Sequence, residues 1–149
     1  MQLKIAEAQT DAEIARCFPV MRQLRTHFED EHVFVAQVRR QRAEGFRLAF
    51  LEDESGVRAV AGYRMLESLY AGRFCYVDDL VTDAPARSTG YGSKLFDWLV
   101  AEACAAGCQK LELDSGVQRF AAHRFYLMKR MIISSHHFSL DLPAGLTSD

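Results

Sequence analysis

An α+β fold, with one mixed and mostly antiparallel sheet, is what this sequence of 149 residues predicts. Three observations carry that expectation. Strand-like segments dominate the early part of the chain. Helical periodicity is inserted after the first, fourth and fifth strands instead of after every strand. One strand also passes through a glycine-bearing turn directly into a helix. A doubly wound sheet would need regular β-α alternation, which is missing.

Element by element, Leu3 and Ile5 alternate with polar neighbours and give a short first strand. Thr10-x-x-Glu13 has the spacing of a capping box, opening a helix over Ile14, Cys17 and Phe18. Pro19 is expected to kink or restart this helix before it continues through Met21, Leu24 and Arg25. A second helix buries Phe34, Val35 and Val38, exposes Arg39, Arg40 and Arg42, and stops at Gly45. Residues 46–52 and 57–67 read as strands around the Asp53-Glu54-Ser55-Gly56 turn, and Tyr70-Ala71-Gly72 leads into a strand at 73–82. Leu95, Phe96, Leu99, Val100, Ala103 and Cys104 repeat with helical period, and Gly107 ends that helix. A strand at 110–114, a last helix at 117–130 and closing strand material at 132–142 complete the chain. The total is six to seven strands and about four helices in a single domain, 1–149.

The chemistry concentrates around Arg87-Ser88-Thr89-Gly90-Tyr91-Gly92-Ser93. A strand, a small-residue turn and a helix N-terminus form a concave row of backbone N–H groups at the positive end of a helix dipole, which suits a phosphate or pyrophosphate. Gly90 and Gly92 allow close approach of a ligand to the backbone. The run is neither G-x-x-x-x-G-K-[ST] nor G-x-G-x-x-G, so the P-loop and dinucleotide fingerprints are absent. In the preceding strand, simple alternation puts Phe74, Tyr76, Asp78, Leu80 and Thr82 on one face and Cys75, Val77, Asp79 and Val81 on the other. Two adjacent carboxylates in so apolar a strand are unusual, because burying an unpaired carboxylate is costly. In the last helix Arg119, His123, Tyr126 and Arg130 share a face, opposite an apolar side of Val117, Phe120, Ala121, Phe125 and Met128.

Asp78-Asp79-Leu80-Val81-Thr82-Asp83, the connection Ala84-Pro85-Ala86, and then Arg87-x-x-Gly90-x-Gly92 together resemble the acyl-CoA-binding motif of the GNAT superfamily of N-acyltransferases. The element order resembles that family too, over almost the whole chain. Ser88 stands where the family often has a further Gly. The resemblance implies acetyl-CoA as co-substrate, bound by Arg87, Ser88, Thr89, Gly90, Tyr91, Gly92 and Ser93. It implies fourth and fifth strands that splay apart, so that main-chain atoms of Leu80, Val81 and Thr82 meet the pantetheine arm. Asp78 occupies the position of a Glu that relays the amine proton, and its shorter arm favours relay through water. Tyr126, in the Phe125-Tyr126 pair, corresponds to the acid that protonates the departing thiolate. Arg119 and His123, on its face, are assigned to the cofactor. The run from Leu113 to Leu127, with Ser135-His136-His137-Phe138, is most similar to small-molecule enzymes of the aminoalkylphosphonate type. The family has Gly four residues after the Tyr, whereas this chain has Arg130, which predicts a different helix ending.

The implied activity is acetyl transfer to a primary amine by direct attack. The alternatives are a CoA-binding sensor without turnover and a protein N-acetyltransferase. Arg22, Arg25, His27, His32 and Arg39 are candidate partners for an anionic amine, and a solvated helix face explains them equally well. A net charge of -2 argues against nucleic acid as partner. No apolar run reaches membrane-spanning length and the N-terminus does not open a signal peptide, so a cytoplasmic protein is expected. Cys17, Cys75, Cys104 and Cys108 lack metal or redox spacing, no metal is expected, and His136-His137 point to opposite faces of a strand. Ile132, Ile133 and Phe138 offer apolar surface for a homodimer.

Overall fold

Five strands form one sheet in chain order: β1 (Lys4–Glu7), β2 (Phe46–Asp53), β3 (Gly56–Ser68), β4 (Gly72–Thr82) and β5 (Lys110–Leu113). The first four pair antiparallel, and β5 joins β4 in parallel. A parallel neighbour needs a crossover; α3 (Tyr91–Ala105) supplies it. The computed structural model describes residues 2–144, which divide into two compact units, with the boundary between Leu113 and Asp114.

In the first unit α1 (Asp11–Leu24) opens on the expected capping box. The Glu13 N–H donates to Thr10 Oγ1 at 3.1 Å and the Thr10 N–H to Glu13 Oε1 at 3.0 Å, satisfying two of the helix's orphan donors. The helix is not restarted at Pro19; it runs through it as one element. Only one backbone bond is lost there, while Phe18, Val20 and Met21 on either side are buried. α2 (Glu31–Arg42) is capped by Asp30, whose Oδ1 accepts the His32 N–H at 2.7 Å.

Helices cover both faces of the sheet, so β2 and β3 are apolar on both sides. Ile14, Phe18, Met21, Phe34 and Val38 pack on Leu48, Phe50 and Val60. On the opposite face Leu95, Leu99 and Ala103 of α3 pack on Leu51, Ala61, Tyr63 and Cys75. Each large side chain so buried contributes about 1.5–3 kcal/mol. Burial pushes the Cys17 and Cys75 thiols up to about 12, which makes them inert packing groups at neutral pH.

In the second unit the last helix, α4 (Phe120–Met128), is shorter at both ends than the 117–130 expected. Its expected apolar side is not covered, since Val117, Phe120 and Met128 are exposed. The closing strand is a further correction. Residues 131–143 form neither helix nor strand, and the sheet has five strands among the described residues instead of six to seven. Alternating apolar residues supply the side-chain pattern of a strand, but a strand also needs a neighbour for its N–H and C=O groups. Ile132, Ile133 and Phe138 are exposed. No described helix is long and apolar enough to cross a membrane.

Candidate active site

The pairing of β3 with β4 slips by one residue at Asp78. Tyr63 opposes Val77 and Gly62 opposes Asp79, leaving Asp78 as the extra residue of a β-bulge. One inserted residue inverts the side-chain period beyond it. Tyr76 and Asp78 enter the space beneath α1 and α2, while Cys75 and Val77 belong to the α3-side core. Past the bulge, Asp79 enters that same space, Val81 joins the α1–α2 core and Leu80 packs on the α3 side. The single face expected for Phe74, Tyr76, Asp78, Leu80 and Thr82 is therefore broken between Asp78 and Leu80. Both carboxylates reach one cavity.

That cavity has a volume of about 440 Å³ and is walled by Phe28, Phe34, Phe46 and Leu48 beside Arg25, Arg64, Asp78 and Asp79. Each carboxylate has an arginine. Arg25 Nε donates to Asp79 Oδ1 at 2.7 Å, and Arg64 Nε donates to Asp78 Oδ2 at 3.1 Å and Oδ1 at 3.2 Å. The second arm of Arg25 donates to the Asp78 carbonyl at 2.8 Å, so one side chain grips both residues of the bulge. Burial raises both carboxyl pKa values above the usual range, against the opposing pull of the arginines. Gly62 makes this possible: a Cβ there would lie 2.5 Å from Phe46 Cζ and closer still to Asp79 Oδ2. Of the five cations expected near the acceptor, Arg25 and His27 line this cavity. His32 and Arg39 line a different one, between α1 and α2, and Arg22 lies over the Phe18 ring.

The ladder between β4 and β5 ends at Val77 opposite Leu113, and beyond the Asp78 bulge residues 79–82 are paired with β3 alone among the described strands. This stretch is braced from α1 at both ends. Arg25 holds Asp78 and Asp79, and Gln23 Nε2 donates to Asp83 Oδ1 at 2.7 Å while Gln23 Oε1 accepts the Ala84 N–H at 3.0 Å. A short 3-10 turn (Ala84–Ala86) follows, then Arg87, whose Nε donates to the Thr82 carbonyl at 3.4 Å. Ser88 (φ +68°) and Gly90 (φ +89°) are left-handed, and Gly90 caps α3 without any side-chain cap bond. A helix start of that kind directs N–H groups and the positive dipole end outward, which suits an anion. Gly92 lets α3 sit against β4, since a Cβ there would lie 2.8 Å from Thr82 Oγ1. Thr89 Oγ1 donates to the Ala86 carbonyl. The Tyr91 side chain faces away from this role: it is buried, and its hydroxyl donates to Asp53 Oδ2 at 2.9 Å.

In the second unit, Arg119 caps α4 and His123 Nε2 lies 2.7 Å from the Gly116 carbonyl oxygen. Burial raises the Tyr126 phenol, with the Arg119 guanidinium pulling the other way, so the hydroxyl keeps its proton at neutral pH. Arg130 stands at φ +67°. Its N–H donates to Leu127 O at 3.0 Å and the Met131 N–H to Tyr126 O at 3.1 Å, which is the Schellman ending that a glycine ordinarily supplies. The different ending expected from Arg130 is not formed; the backbone takes the left-handed conformation in spite of the side chain.

Sequence reading missed Arg64, Gln23 and Gly62. Arg64, like Arg58, is a cation within the apolar run of β3, a signal that pointed to a partner within the sheet. Gln23 and Gly62 carry no sequence signal for what they touch, because both contacts depend on the bulge and on where α1 ends. Among the described residues, no three His, Cys, Asp or Glu stand together to hold a metal ion.

Residues 8–130 match the family model described as the acetyltransferase (GNAT) family. The chain is 37% identical over 117 residues to the uncharacterised N-acetyltransferase YhdJ of Bacillus subtilis (strain 168), covering 78% of this chain and 82% of that protein. It is 41% identical over 51 residues to the aminoalkylphosphonate N-acetyltransferase of Salmonella typhimurium, about a third of either chain (34% and 33%). The crystal structure of a transcriptional regulator from Bacillus halodurans C-125 superposes with a TM-score of 0.82 at 18% identity, over 95% of this chain and 100% of that one, a likeness of fold. The bulged fourth strand, the anion-suited turn that follows it and the extent of these matches lead to one conclusion: the chain belongs to the GNAT acetyltransferase family.

Proposed function

We propose that this protein is a cytoplasmic N-acetyltransferase that moves an acetyl group from acetyl-CoA to the primary amine of a small molecule by direct attack. The observation that carries the reading is β4 itself. Its Asp78 bulge, the stretch 78–82 left without β5, and the Arg87–Ser93 turn stand in one continuous run. The family match across 8–130 supports treating both units as one catalytic domain.

When bound, acetyl-CoA supplies the activated acetyl thioester. The N–H groups and the Arg87 side chain of the turn from Arg87 to Ser93 hold its phosphates, with Tyr91 acting through its backbone. Main-chain atoms of Leu80, Val81 and Thr82 line the pantetheine arm, and Arg119 and His123 add contacts. Asp78 takes a proton from the ammonium of the acceptor, through water, so that the nitrogen lone pair can form the new C–N bond. The C–S bond breaks, and Tyr126 gives its proton to the departing sulfur. Overall, one acetyl group and one bound proton change places, and one proton passes to solvent. A homodimer formed through Ile132, Ile133 and Phe138 completes the proposal.

The test is thiol release from acetyl-CoA across a panel of amines, beside acetyl-CoA binding measured alone. Gly90→Val should weaken binding about ten-fold or more, because Gly90 is left-handed and a Cβ there meets no protein atom within 4 Å, only the space assigned to phosphate. Wild-type affinity in Gly90→Val overturns the phosphate assignment. Binding without release for every amine makes the protein a CoA sensor, and release with peptide amines alone makes it a protein acetyltransferase. Light scattering that finds only a 16.9 kDa species removes the homodimer.

A further inference from the structure

The cavity beneath α1 and α2 is balanced in charge, with Arg25 and Arg64 set against Asp78 and Asp79. The two pairs differ in how tightly they are tied. Arg25 is fixed at two points, the Asp79 carboxylate and the Asp78 carbonyl. Arg64 is tied to the Asp78 carboxylate, and its guanidinium lies 5.5 Å above the Phe46 ring, a face that it can slide over. Asp79 is the more enclosed acid, at 12% side-chain exposure, and Asp78 at 22% the more accessible. The Arg64–Asp78 pair is therefore the one that a ligand can open.

Opening it has a consequence that depends on the ligand's charge. A simple alkylammonium that takes Asp78 leaves Arg64 without its carboxylate in a three-quarters buried position, and an orphaned guanidinium there is costly. A simple anion that takes Arg64 strands Asp78 in the same way. A ligand with both charges replaces one ion pair by two and orphans neither group. The aromatic wall of Phe28, Phe34 and Phe46 suits a short carbon skeleton between those charges.

We propose that the acceptor is a zwitterion: a small primary amine that also carries an anionic group, its ammonium on Asp78 and its anion on Arg64. The proposal rests on the reading of this cavity as the acceptor site. Carboxylate, phosphonate and phosphate share the required chemistry, since each presents oxygens to a guanidinium.

Two measurements separate this proposal from the acetyl-transfer reading. In the first, calorimetry without acetyl-CoA compares β-alanine, 2-aminoethylphosphonate and phosphoethanolamine with 3-aminopropanol and the methyl ester of β-alanine. At least one zwitterion is expected to bind about ten-fold or more tightly than the alcohol and the ester. Arg64→Met should erase that ratio, and Arg64→Lys should restore part of it. The three anions show which group the site takes. In the second, kcat/KM for thiol release is measured with the same amines, and the same ratio is expected. Equal binding of alcohol, ester and zwitterion, no binding by any zwitterion, or a ratio that survives in a folded Arg64→Met protein overturns the proposal. Zwitterion-selective binding without thiol release upholds the zwitterion site on Asp78 and Arg64 and overturns acetyl transfer instead. Melting curves of the variants show that a lost ratio is not a lost fold.

Discussion

Arg25 and Asp79 meet at 2.7 Å, and the same guanidinium reaches the carbonyl of Asp78 at 2.8 Å. One side chain at the C-cap of α1 thus fixes both the carboxylate and the backbone of the bulge in β4. Removing it leaves Asp79 enclosed and unpaired. Arg25→Ala should cost on the order of 2–3 kcal/mol, at the low end of a broken buried ion pair because Arg25 itself is 43% exposed. Urea unfolding measures it, and a loss under about 0.5 kcal/mol would return the contact to an ordinary surface pair.

Gly62 is expected to be as sensitive for a steric reason. It opposes Asp79 in the ladder, and its missing Cβ is the space that the Asp79 carboxylate and the Phe46 ring occupy. Gly62→Ala should destabilise by about 1–3 kcal/mol, the range for overpacking a filled site. Thermal unfolding that matches wild type would mean that Phe46 turns aside without loss.

Arg130→Gly should raise stability by about 1 kcal/mol. α3 ends on the same pair of bonds around Gly107 (φ +80°), where no Cβ opposes the left-handed turn. α4 builds that ending around Arg130, and a Cβ in the left-handed region costs roughly 1–2 kcal/mol, part of which the extra freedom of glycine in the unfolded chain cancels. A lower melting temperature in Arg130→Gly would show that the arginine side chain contributes more than its backbone strain removes.

The acid–base roles predict opposite signatures. Tyr126→Phe keeps the ring and removes the proton donor, so acetyl-CoA affinity should hold while kcat falls about 10²-fold. Full kcat makes Tyr126 a packing aromatic, and lost affinity makes it a binding residue. Asp78 must be ionised to accept a proton, and burial raises its pKa, so activity should fall as pH drops through a value above the usual carboxylate range. Above that pH, Asp78→Asn should depress the rate most where the amine is still charged, and recover partly as pH rises further. A ratio to wild type that does not change with pH would leave deprotonation to solvent.

Much of this molecule was legible in the chain because it is local. Thr10 and Glu13 announced the start of α1, the apolar runs 46–52 and 57–67 around the Asp53–Gly56 turn gave β2 and β3, and Gly90 stands in the left-handed turn that its motif requires. These features rest on hydrogen bonds within a few residues or on a side-chain period, and both are written in sequence. Tertiary structure decided the rest. Which face Asp79 takes depends on a one-residue slip against β3, which no period in β4 records. Arg64, Gln23 and Gly62 acquired their roles only when that slip and the end of α1 brought them to β4. Residues 132–142 have the alternation of a strand and do not form one, because a strand is completed by a neighbour's N–H and C=O groups, which lie outside the reach of local sequence.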